Sequence, residues 1–148
     1  MRPTRSVPIA LASFATAALL LAQPARADDT DARNFITNAT GSTTSQNDPR
    51  IAVVNRQLES IRSSCAQTSR GAAIHDKLVK AHSLLTTQQS LLVLLEDFVR
   101  VARAQCSRMD DSLLISLYVI ERNSGSSHAT TISRLIKDPG SLARKWRS

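Results

Sequence analysis

The chain has 148 residues, a net charge of +7, 3% aromatic residues and four glycines. So few aromatic platforms argue against stacking on sugars or single-stranded nucleic acid. The sequence contains no C-x-x-C-H, H-E-x-x-H or G-x-S-x-G motif and no glycine-rich phosphate loop, which argues against the corresponding haem, zinc, hydrolase and nucleotide chemistries.

Residues 1–27 read as a cleavable secretory signal peptide. Arg2 and Arg5 supply a positive end, Ala10 to Ala22 an apolar stretch, and Ala25-Arg26-Ala27 the small-x-small pattern read by signal peptidase. The apolar stretch falls short of the roughly 20 residues needed to cross a bilayer, so cleavage after Ala27 and a periplasmic or secreted product are expected. Arg2 and Arg5 are not adjacent, and no cysteine follows the cleavage site, which argues against twin-arginine export and lipid anchoring. Loss of Arg2, Arg5 and Arg26 leaves sixteen basic against twelve acidic residues, a charge of +4. That balance is no nucleic-acid signature.

Residues 28–48 open with Asp28, Asp29 and Asp31 and continue through a polar run from Thr37 to Asn47. With little there to pack, a flexible polar arm is expected.

Residues 49–122 carry the expected helical bundle. Asp48-Pro49 combines a capping carboxylate with a proline suited to the first helical position. Ile51, Val54, Leu58, Ile61 and Cys65 follow at spacings of 3, 4, 3 and 4, one stripe of a helix. Ser69-Arg70-Gly71 interrupts, and a second helix carries Ile74, Leu78, Ala81 and Leu85. Thr86 to Ser90 reads as a break, with one long helix over 72–107 as the competing reading.

The third segment opens with five apolar residues, Leu91 to Leu95, which cover more than one helix face, so it should be central and contacted from several sides. Its residues Leu92, Leu95, Val99, Ala102 and Cys106 repeat the first stripe, again ending in cysteine. If the three helices run up, down and up, Cys65 and Cys106 meet at one end and should form a disulfide, worth roughly 4 kcal/mol in the chain-entropy model. Free or metal-binding thiols are the alternative.

Asp110-Asp111-Ser112 then marks the start of a fourth helix through Leu113 to Ile120. Adjacent carboxylates there point in different directions, which favours capping over a catalytic pair. Residues 123–148 form a linker (Asn123 to Ser127, with His128 assigned to it), a short amphipathic piece with Ile132, Leu135 and Ile136, a Pro139-Gly140 turn and a basic end. Arg134, Lys137, Arg144, Lys145, Trp146 and Arg147 are the candidate partner-binding residues, because basic side chains beside a tryptophan can engage an anionic surface or acidic partner.

The expected fold is therefore all-α, a small up-and-down bundle of about four core helices with an intramolecular disulfide and a short C-terminal helical segment. No catalytic residue, cofactor or metal is expected. His75 and His82 stand two turns apart, about 10 Å, too far to share a metal unless other ligands close in. Function by elimination is protein–protein binding in the periplasm by a non-enzyme of inhibitor or immunity, adaptor or chaperone type, with another envelope or secreted protein as partner. The alternatives are attachment to an anionic membrane surface through the basic C-terminal segment, or secretion as an effector.

Overall fold

The computed structural model describes residues 27–148, so the signal-peptide reading rests on residues that lie, save Ala27, outside the described ones. Seven helices make up the described residues, with no strand: α1 (Ala27–Thr40), α2 (Arg50–Ser64), α3 (Ile74–Ser83), α4 (Leu91–Gln105), α5 (Asp111–Asn123), α6 (His128–Lys137) and α7 (Pro139–Lys145). The all-α bundle with a disulfide is as the hydrophobic periodicity requires. Two of its helices are additional to the expected set.

The first addition corrects the expected flexible arm over 28–48. Ala32, Phe35 and Ile36 are buried and Ala39 packs beside them, the i, i+3, i+4, i+7 stripe of an amphipathic helix lying on α2. The polar residues after the helix are also used. Gly41 takes a positive φ of 70°, which turns the chain back, and its N–H bonds the Thr37 carbonyl. Thr44 is buried, with its N–H donating to Thr37 Oγ1 and the two hydroxyls 2.9 Å apart.

In α2 the whole stripe Ile51, Val54, Leu58 and Ile61 is buried, with Cys65 below it. Asp48 caps this start by accepting from the Arg50 N–H (2.9 Å) and from the Arg50 guanidinium. The Arg50 side chain and then its backbone N–H hold the Asp48 pKa down at about 2.

The chain breaks between α3 and α4, so the single helix over 72–107 does not form. Ser90 caps α4 by accepting from the Val93 N–H. Asn123 of α5 satisfies the loop's free polar groups: its Oδ1 accepts from the Thr86 N–H, and its Nδ2 donates to the Leu84 carbonyl.

Helix α4 is central. Leu95, Val99 and Ala102 form one buried stripe, Leu91, Leu94, Phe98 and Val101 a second, and the helix packs against α1, α2, α3 and α6. Leu92, the first residue of the expected stripe, lies at its half-buried edge.

Cys65 and Cys106 are joined as expected, with a Cα–Cα distance of 4.7 Å. They close the C-terminal ends of α2 and α4, which pack side by side. Thr68 Oγ1 donates to the Cys106 carbonyl across the same junction (2.6 Å).

The second addition lies at the C-terminus. Pro139 and Gly140, expected as a turn, are instead the first residues of α7, which the Asp138 side chain caps through the Ser141 N–H. Proline at that position lacks only a donor the helix would leave unused. His128, expected in the linker, is the first residue of α6, with Ser127 as its cap.

Candidate functional site

The expected partner-binding residues do not form one free patch. Three of them turn onto Glu121, which is fully buried near the end of α5. Arg134 Nη1 pairs with Glu121 Oε1, Lys145 Nζ lies 3.1 Å from Oε2, and Trp146 Nε1 donates to Oε2 at 3.1 Å. Ser126 Oγ adds a fourth donor at 2.9 Å, and Lys145 Nζ also stands 4.6 Å from the centre of the Trp146 ring. Burial would raise the Glu121 pKa, but the hydrogen bonds from Lys145, Ser126 and Trp146 outweigh it and hold the carboxyl below its ordinary value. Lys137, Arg144 and Arg147 remain exposed.

This cluster escaped the reading of the sequence although a signal for it exists. Leu114, Leu117, Tyr118 and Glu121 lie on the inward side of α5, so the glutamate occupies a core position. A core carboxylate requires a cation. Which cation depends on the return of α6 and α7 across α5, 13 to 25 residues later.

The positive charge is segregated. Residues 28–122 contain eleven basic and eleven acidic residues, so the whole excess of +4 in residues 28–148 belongs to 123–148. Between α6 and α7 lies a groove of about 760 Å³ whose polar lining comprises Thr130, Ser133, Arg134, Lys137, Asp138, Ser141 and Lys145.

Two further polar constructions join helices of the bundle. His128 Nε2 is 2.8 Å from Asp97 Oδ2 and its Nδ1 is 2.7 Å from the Tyr118 hydroxyl, linking α4, α5 and α6. The order carboxylate–imidazole–hydroxyl resembles a nucleophile relay in form. The phenol is buried, and burial raises its pKa; the chain of contacts ties α4, α5 and α6 together. At the start of α5 the two adjacent aspartates divide their roles: Asp110 caps the helix through the Ser112 N–H, while Asp111 faces inward and pairs with Lys77. Asp111 Oδ1 also accepts from the Ser112 N–H, at 2.9 Å, so it serves the helix start as well as pairing inward.

His75 Nε2 lies 3.3 Å from Asp76 Oδ1, whereas His82 Nε2 meets the Gln89 carbonyl at the far end of α3. Among the described residues no group of three or more His, Cys, Asp or Glu side chains is placed to hold a metal ion.

Another surface feature is apolar. A groove of about 490 Å³ between α3 and α5 is lined by Ala81, Leu84, Ile115, Val119 and Ile120, with Lys77 and Lys80 alongside. Leu84 is 55% and Ile120 40% exposed, large apolar side chains that the fold leaves without cover. Among the described residues no helix is long and apolar enough to cross a membrane. No family model, curated protein or solved structure matches the chain.

Proposed function

We propose that this is an exported, non-enzymatic protein that acts in the periplasm by binding another protein, in the manner of an inhibitor or immunity protein, adaptor or chaperone. The observation that carries the reading is the α3–α5 groove, where Leu84 and Ile120 stand exposed in an apolar channel. Contiguous apolar surface of this kind marks interaction sites. The channel's apolar lining suits the apolar face of a partner helix, and Lys80 beside it favours acidic residues flanking that face. The disulfide supports a compartment in which thiols are kept oxidised.

The test is a pull-down from the protein's own envelope extract with wild type and with the double variant Leu84→Glu/Ile120→Glu. Both side chains are exposed, so the fold should tolerate the change. One protein recovered in near-stoichiometric amount by the wild type, retained in salt and lost with the variant, is the expected result. Equal recovery by both overturns the groove as the binding face. Recovery of no protein at all overturns the reading itself.

A further inference from the structure

The α6–α7 groove has a construction that the α3–α5 reading does not use. Thr130, Ser133, Arg134 and Lys137 stand at i, i+3, i+4 and i+7, a single polar and cationic stripe along α6. The other side of the helix is its packing face, with Thr131, Ile132 and Leu135 buried. Ser141 and Lys145, four apart on α7, face this stripe across the groove.

Arg134 and Lys145 are held from below by the buried Glu121 carboxylate while their side chains stay half exposed. The Glu121 carboxylate thus orders both side chains before any ligand arrives, and the guanidinium, with five N–H donors, has more than Glu121 and Ser126 take up. The one acid in the lining, Asp138, is occupied in capping α7 and lies 4.0 Å from Arg144. Lys137 ends α6, where a cation is favoured by the helix dipole.

We propose that this groove is a binding site for a phosphate group, carried by a small solute or by a lipid headgroup. Three cations beside the hydroxyls of Ser133 and Ser141 suit an anion with several acceptor oxygens, which accepts forked and charge-assisted hydrogen bonds. A groove of about 760 Å³ also has room for the organic part of a phosphate ester. The segregation of the chain's excess charge onto 123–148 draws such anions to this end of the molecule.

The test uses the untagged protein expressed from the full chain, with inorganic phosphate as probe at constant ionic strength. Trp146, next to Lys145, reports binding by its fluorescence. Binding to vesicles of phosphatidylglycerol with phosphatidylcholine, and of phosphatidylcholine alone, is measured in parallel by sedimentation. Lys137→Glu should weaken phosphate binding at least tenfold. Arg147→Glu, the same change of charge outside the groove, should shift it less than twofold. Ser133→Asp, which sets a carboxylate in the groove, should reproduce the loss with a different side chain.

Saturable phosphate binding without vesicle binding assigns the site to a phosphorylated solute. Vesicle binding that requires phosphatidylglycerol and is competed by phosphate assigns it to a headgroup. Absence of saturable phosphate binding, vesicle binding indifferent to phosphate, or equal weakening by Lys137→Glu and Arg147→Glu each overturns the proposal.

Discussion

Lys77 and Asp111 form a largely buried ion pair: Nζ stands 2.8 Å from Oδ1, with the lysine side chain 10% and the aspartate side chain 1% exposed. Ser69 Oγ donates to the second carboxylate oxygen at 2.9 Å, and Lys77 also donates to the Arg70 carbonyl at 2.6 Å. One pair therefore fixes the α2–α3 connection and the start of α5. Removing one member leaves the other charge buried, so Asp111→Ala should cost about 3–5 kcal/mol. Replacing both by apolar residues of similar volume should cost much less. Urea unfolding of the single and double variants measures the difference, and a single-variant loss under about 1 kcal/mol would show that water reaches the lysine.

Helix α1 should contribute to global stability, not behave as a tail. Phe35 is buried between α1 and the bundle, and Phe35→Ala should cost about 3–5 kcal/mol. Asn34→Ala, on the exposed side of the same helix, should be near neutral. An unchanged denaturation midpoint for Phe35→Ala would return residues 28–48 to the status of a flexible arm.

The difference between these regions explains what could be read in advance. The stripes of α2 and α4 repeat regularly over fifteen residues each, and both end in cysteine, which was enough to place two helices and their cross-link. In α1 the stripe consists of Ala32, Phe35, Ile36 and Ala39, two of them alanine, embedded in a polar run whose composition argues for disorder. The α6–α7 groove was half legible. Its cations were identified, but their attachment to Glu121 depends on how α7 folds back, which no local pattern encodes.

The disulfide should contribute about 4 kcal/mol through restriction of the unfolded chain across its 41-residue separation. Cys65→Ala/Cys106→Ala should lower the unfolding free energy by that order. Thiol titration of the unreduced, denatured protein should find none of the two cysteines reactive. Two titratable thiols per chain would overturn the pairing.

Acid should loosen the C-terminus through Glu121. Its folded-state pKa lies below its ordinary value, so its stabilising effect is fully present above the unfolded value of about 4.3 and is lost as pH falls through the folded one. Glu121→Gln should therefore be less stable than wild type at neutral pH, with the gap narrowing below roughly pH 4. Trp146 provides a second readout: loss of its bond to Oε2 should red-shift its emission in the variant at neutral pH. A gap that stays constant down to pH 3 would assign the effect to packing and not to charge.

The cross-link also alters what a protease can accomplish. The loop between α3 and α4 exposes Thr86, Thr87 and Gln88, and it lies inside the covalent ring closed by Cys65 and Cys106. A single cut there creates new termini but no new molecule, because the fragments before and after it stay tethered. Nicked protein would run at its original mass until reduced, and the bundle could pass through a proteolytic compartment scarred but undivided.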